Sequence, residues 1–226
     1  MLDGLPIVRE AYARTVRLVS TARLRPSVLR ALVDEEDLST LAEIEGATSA
    51  RLRAQERGLD GVHANEFVFG IPQATFINAG FAYAKPRELN RFNGPGRGAW
   101  YAALSTETCL SEVQFHMTEF LERTGDFHAT VEYAEMFASI AGEFVDLRTV
   151  PHPCLNLDPA IGYPIGNALA DAAIKKALNG IIYPSVRHSG GTCFAVLWPH
   201  AVQSVALGDV YRMVWSGDPK PAIEKA

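Results

Sequence analysis

The sequence predicts an α+β protein: a mixed β-sheet core with inserted helices and an N-terminal helical insertion at about residues 24–66. Three observations lead there. About seven short apolar runs have the texture of strands. Apolar residues recur at helical spacing in separate stretches that interrupt those runs irregularly. Strict strand–helix–strand alternation is absent, which argues against a doubly wound parallel sheet.

The elements follow in order. Residues 15–21 alternate apolar and polar, with Arg17 between Val16 and Leu18, as in a half-buried strand. Pro26 opens a helical stretch carrying Val28, Leu29, Leu32 and Val33, then Leu38, Leu41 and Ile44. The run Asp34-Glu35-Glu36-Asp37 divides it as a solvated turn or helix start. Residues 47–60 are charged and helix-friendly as far as Gly58 and Gly61. From Phe67, the series Phe69, Ile71, Phe76, Ile77, Phe81 and Tyr83, broken by Gly70, Pro72 and Gly80, has strand-and-loop composition. Residues 84–99 read as a Pro/Gly/Arg loop and 100–104 as a short strand.

Ser105 suits an N-cap, with Glu107 in the first turn of a helix. Its expected core stripe is Leu110, Val113, Met117 and Phe120, and it ends before Gly125. Two strands follow, 128–136 and 143–148. Pro151, Pro153, Pro159 and Pro164 mark a loop over 149–163, and 165–178 forms an alanine-rich helix stopped by Asn179-Gly180. Strands at 181–183, 192–198 and 209–215 complete the core, and the tail from Ser216 is extended or frayed.

Composition narrows the function. The chain has 226 residues, 48% of them hydrophobic and 21% charged, as expected of one globular domain over 1–226. A net charge of −5 disfavours direct nucleic-acid binding. Cys109, Cys154 and Cys193 form no CxxC pair, so a structural zinc site is not expected. His63, His116, His128, His152 and His200 show no HxxxH-type metal spacing and read as satisfied surface or core residues, so no metal site is expected. Sparse, unpaired thiols point to a cytoplasmic location. No apolar run approaches the ~20 residues of a membrane-spanning helix, so no membrane partner is expected.

The densest polar segment is Arg91-Phe92-Asn93-Gly94-Pro95-Gly96-Arg97-Gly98. Its glycines permit close approach of a ligand, and its arginines suit phosphate geometry. A surface turn with solvated arginines is the alternative. The spacing is neither a dinucleotide fingerprint nor a P-loop. Tyr101 offers a flat ring for stacking, or serves as a core residue. Glu112, with Cys109 at i−3 and His116 at i+4, borders the apolar stripe, so its carboxylate must be paired or hydrogen-bonded. Either it forms a structural ion pair with an arginine, or it stabilises positive charge in a transition state. Ser185, Arg187 and His188 lie at a strand end, but the GxSxG elbow of a serine hydrolase is absent.

Taken together, Arg91-Phe92-Asn93-x-Pro-Gly, Ala99-Trp100-Tyr101-Ala102-Ala103-Leu104 and Thr108-Cys109-Leu110-Ser111-Glu112-Val113 resemble the first half of a RES domain. Gly180-Ile-Ile-Tyr-Pro-Ser185-Val-Arg187 and Gly191-Thr-Cys-Phe-Ala-Val-Leu-Trp198-Pro are similar to its second half, so the resemblance covers about residues 15–215. It implies an ADP-ribosyltransferase-like fold and the toxin of a RES–Xre toxin–antitoxin pair, with NAD as substrate and an Xre-like antitoxin as partner. Glu112, Arg91 and Tyr101 would then be catalytic: Glu112 on the ribose hydroxyl, Arg91 on a phosphate or ribose, Tyr101 against nicotinamide. Ser185 would help fix the ribose or the amide. Arg17, and also Arg187, would be further phosphate anchors. The expected outcome is mono-ADP-ribosylation of a protein such as phosphoribosyl pyrophosphate synthetase. The alternatives are depletion of NAD by hydrolysis or phosphorolysis, and a non-catalytic nucleotide-binding module.

Overall fold

Two long antiparallel strands form the spine of the molecule. A computed structural model describes residues 2–24, 62–82 and 89–226. In chain order its elements are β1 (Ile7–Ser20), α1 (Ala74–Ala82), β2 (Trp100–Ala103), α2 (Thr106–Thr124), β3 (His128–Asp146), α3 (Pro159–Lys175), β4 (Gly180–Pro184), β5 (Thr192–Val196), β6 (Val202–Ser216) and β7 (Ala222–Lys225). The architecture is α+β, as the sequence predicts. The helices expected between 26 and 60, and with them most of the insertion at about 24–66, lie outside the described residues. Among the described residues, no helix is long and apolar enough to cross a membrane.

β1 and β3 pair from Ile7↔Val145 to Ser20↔Tyr133. The other edge of β3 is shared: β6 pairs antiparallel with its first two thirds, and β4 pairs parallel with Phe144, Val145 and Asp146. β5 joins β4 to β2. β2 then touches β1 at Val16↔Ala103, which closes β1-β2-β5-β4-β3 into a ring. One residue pair holds that last seam, so β1 and β2 splay apart beside it.

Period-two alternation builds a core on each face of this sheet. Ile182, Phe194, Val196, Trp100 and Ala102 face α1, where Ile77 and Phe81 are fully buried. Ile181, Tyr183, Cys193, Ala195 and Ala103 face the other way, towards Leu169, Ala170 and Ala173 of α3. A separate cluster seats α2 on β6 through Leu121, Met213 and Trp215, with Leu110, Val113 and Met117 packed against it. Phe120, expected in that stripe, is instead 50% exposed; Leu121 takes the buried place.

Several elements differ from the sequence-based expectation. The strand-and-loop reading of 67–83 gives way to α1, because Ile77 and Phe81 at i,i+4 bury one helical face against Trp100. The two strands expected at 128–136 and 143–148 are one, β3. It continues through Gly142, whose φ of 153° accompanies a close approach by Asn179; a Cβ there would lie 2.3 Å from the Asn179 amide carbon. The Asn179 side chain accepts the Glu143 N–H at 2.8 Å. α3 starts six residues earlier than expected, since Asp158 caps it and Pro159 occupies its first turn, where a missing N–H costs nothing. β1 and β6 extend beyond the expected 15–21 and 209–215, and of the two readings of the tail, extended or frayed, the extended one holds at β7, which pairs with β6.

Candidate active site

The seam between β1 and β2 opens into a cavity of about 200 Å³. β1 contributes Arg17, the 89–93 segment Arg91, β2 Tyr101, α2 Glu112 and His116, and α3 Tyr163. Tyr183 and Cys193 close its floor from β4 and β5. Four residues named from the sequence, Arg17, Arg91, Tyr101 and Glu112, thus line one space although 95 positions separate the first from the last.

Glu112 projects from the second turn of α2. Ser105 caps that helix, its Oγ accepting the Thr108 N–H at 3.3 Å. The Glu112 carboxylate has a hydroxyl for its partner: Ser185 Oγ donates to Oε1 at 2.6 Å. The Cys193 thiol approaches the same oxygen at 3.8 Å. Ser185 in turn accepts the N–H groups of Arg187 at 3.2 Å and His188 at 2.9 Å. Two backbone donors therefore polarise the hydroxyl that holds the carboxylate. The turn carrying Ser185 is itself fastened to α2, because His188 Nδ1 lies 2.8 Å from Thr108 Oγ1. Ser185 does not line the cavity; it reaches the cavity through Glu112.

Arg91 is 7% exposed. Its Nη1 donates to the carbonyls of Cys154 and Asn156, and its guanidinium lies 5.2 Å from the centre of the Tyr163 ring. α3 can pass this close only because position 166 is glycine: a Cβ there would sit 2.0 Å from the Arg91 carbonyl oxygen. Tyr101 fixes the neighbouring backbone. Its hydroxyl donates to Asn93 Oδ1 at 3.0 Å and accepts the Phe92 N–H at 2.9 Å. Its carbonyl accepts from Arg17 Nη1 at 3.1 Å, and Arg17 also lies over the Trp100 ring. The ring of Tyr101 is therefore both a cavity wall and a loop tether.

The glycine-rich loop does different work from that expected of it. Gly98 gives its N–H to the Phe81 carbonyl at 2.8 Å, which docks the loop on α1. Arg97 turns away from the cavity, pairing with Glu66 at 2.7 Å and donating to the Leu197 carbonyl. Arg187 stands one layer outside the cavity wall, 3.4 Å from the centre of the Phe115 ring, with Nη2 donating to the Leu157 carbonyl at 2.7 Å.

Burial sets the charges. Desolvation raises the phenols of Tyr101 and Tyr183 well above their ordinary value. It pushes the Cys109 thiol up to about 12, and raises Cys193 further, with the Glu112 charge as the next cause. Near neutral pH the tyrosines and thiols are neutral walls around one carboxylate and two guanidiniums. Sequence reasoning did not single out Tyr163, Tyr183 or Cys193. Tyr163 carries no local signal, since it falls where prolines suggest a loop; Tyr183 and Cys193 read as ordinary strand interior.

An uncharacterized protein, y4oC, of Sinorhizobium fredii (strain NBRC 101917 / NGR234) is 26% identical over 220 residues, covering 96% of this chain and 87% of that one. A chain of the M. tuberculosis MbcT–MbcA toxin–antitoxin complex is similar at 19% identity, with a TM-score of 0.38, over 55% of this chain and 71% of that one. The RES domain model matches residues 67–216, which hold every lining residue except those of β1. This chain belongs to the RES domain family.

Proposed function

We propose that this protein is the toxin of a toxin–antitoxin pair, an enzyme that breaks the nicotinamide–ribose bond of NAD and passes ADP-ribose to a protein side chain. The observation that carries the reading is the Glu112 carboxylate, held at 2.6 Å by Ser185 on the wall of a cavity that also presents Arg17 and Arg91. Leaving of nicotinamide generates an oxocarbenium-like ribose. A fixed carboxylate stabilises such a charge best when it is oriented beforehand and shielded from water. With one oxygen engaged by Ser185, Glu112 has its other oxygen for a ribose hydroxyl. The two guanidiniums balance the pyrophosphate. Tyr101 and Tyr163 supply flat, neutral faces for the nicotinamide–ribose half. A volume of 200 Å³ falls below the ~300–1,000 Å³ typical of whole-ligand pockets, which suits enclosure of that half alone. An Xre-like antitoxin is the proposed neutralising partner, and phosphoribosyl pyrophosphate synthetase the type of acceptor.

The test uses purified protein freed of any antitoxin, NAD labelled in its adenylate half, and cell extract. The reading expects label to move onto protein. Label confined to ADP-ribose or its phosphate would replace transfer with NAD depletion. Label left in intact NAD would leave a nucleotide-binding module.

A further inference from the structure

The cavity has a polar lining residue that the reading above does not use. Asn90 precedes Arg91 in the 89–93 segment, is half-buried, and lines the space. Both polar groups of its backbone are engaged within the protein. Its N–H donates to the Asn93 carbonyl at 2.9 Å, and its carbonyl accepts from Asn167 Nδ2 at 2.7 Å. Each of those partners also holds one of the two tyrosines assigned to the nicotinamide–ribose half. Asn93 Oδ1 accepts from the Tyr101 hydroxyl at 3.0 Å, and Asn167 Nδ2 donates to the Tyr163 carbonyl at 2.8 Å. Asn90 is thus tied to both tyrosines through its backbone. Its side-chain amide makes no hydrogen bond among the described residues.

A primary amide presents a donor and an acceptor side by side in one plane, which the other lining side chains do not. The guanidiniums of Arg17 and Arg91 only donate, and an ionised Glu112 only accepts. The Tyr101 hydroxyl already serves Asn93 and Phe92. The complement of a primary amide is a second one, and NAD carries it on the nicotinamide ring. Adenine offers a similar edge, but it belongs to the half that a 200 Å³ cavity leaves outside. We propose that Asn90 is the specificity-determining residue for the leaving group, its Oδ1 accepting from the nicotinamide N–H and its Nδ2 donating to the nicotinamide carbonyl; this rests on the NAD-cleaving reading above. A backbone fastened at both its N–H and its carbonyl holds the amide in place before NAD arrives, so little ordering cost falls on binding. A pyridine without the amide N–H leaves Oδ1 facing an apolar group in an enclosed site, which is the arrangement that discriminates between substrates.

The test compares release of the pyridine from NAD and from its 3-acetylpyridine analogue, in which a methyl group replaces the carboxamide NH2. Wild type, Asn90→Ala and Asn90→Asp are measured, each with a thermal melt. Wild type should prefer NAD about tenfold in kcat/KM, the worth of one hydrogen bond. In Asn90→Ala that preference should fall to within about twofold, with Tm changed by no more than about 2 °C, because the amide holds nothing in the protein. Asn90→Asp keeps the size and the acceptor for the amide N–H but offers the ketone no donor. Its preference for NAD should therefore exceed that of wild type. The two variants thus move the ratio in opposite directions, which a merely structural role would not do. Wild type that cleaves both substrates equally overturns the assignment, as does a preference that Asn90→Ala retains or that Asn90→Asp lowers. Wild type that releases neither pyridine overturns the NAD reading itself and the role of Asn90 with it.

Discussion

Ser185→Ala separates two roles for the most informative contact in the site. A serine that touches ribose contributes to binding, whereas a serine that holds Glu112 contributes to the transition state. The structure favours the second, since the hydroxyl gives its proton to Glu112 at 2.6 Å and accepts two N–H groups. Alanine removes one hydrogen bond to a charged acceptor, worth about 1.5–3 kcal/mol. If that energy is realised in the transition state, each ~1.4 kcal/mol is a factor of ten in rate. The expected loss is therefore about 10- to 150-fold in kcat, with KM for NAD nearly unchanged. The two orphaned N–H groups at the turn add a small stability cost, so Tm should fall by only a few °C, about 1–2 kcal/mol. The assay is steady-state nicotinamide release against NAD concentration, with a thermal melt on the same preparation. A raised KM at constant kcat would refute the reasoning and return Ser185 to the ribose.

Three further outcomes follow from the packing. Arg91→Lys should cost stability and activity together. An ammonium cannot reproduce the planar fork over Tyr163 while serving the Cys154 and Asn156 carbonyls, and a loss of about 2–3 kcal/mol lowers Tm by about 4–12 °C; an unchanged melt would contradict this. Gly166→Ala should destabilise by about 1–3 kcal/mol and reduce NAD cleavage, because its Cβ would meet the Arg91 carbonyl at 2.0 Å and push α3 off the cavity; wild-type activity would show that α3 can shift freely. At acid pH the Glu10–Arg148–Asp146 cluster should loosen. The Tyr12 hydroxyl and then Arg148 lower Glu10, and Arg148 lowers Asp146. Both carboxyls therefore stabilise the fold above the ordinary carboxylate range, and that contribution is lost as pH falls from about 4 through their lowered values. Arg148→Gln should lower Tm at pH 7 and make its decline below pH 4 shallower; an identical acid decline in both proteins would contradict the linkage.

What the sequence made legible was mostly local. Ser105, Glu107 and Gly125 mark the ends of α2, and the observed cap and the left-handed Gly125 stand at those positions. The carboxylate on the border of that helix's apolar stripe required a partner, and the structure supplies Ser185 rather than an arginine. The failures came where tertiary packing outweighs texture. Phe76, Ile77 and Phe81 look strand-like among glycines, yet the four-residue spacing of Ile77 and Phe81 was the signal that α1 obeys. The stretch between the two expected strands 128–136 and 143–148 continues as β3, where Gly142 makes room for Asn179. Pro159 and Pro164 suggest a loop, yet Pro159 stands in the first turn of α3, where a proline is compatible with a helix, and α3 runs on through Pro164; this misplacement hid Tyr163. The roles of Gly98 and Arg97 depend on contacts with α1, Glu66 and Leu197 that no local pattern encodes.

The most direct measurement is nicotinamide released from NAD by the antitoxin-free protein, beside a Glu112→Gln protein of equal Tm. Glutamine keeps the shape and a hydrogen-bond acceptor for Ser185 but removes the charge that faces the oxocarbenium-like ribose. The account predicts release by the wild type and a loss of at least about 100-fold in the variant. Equal release by both proteins would contradict the role of Glu112, and no release by either would contradict NAD cleavage.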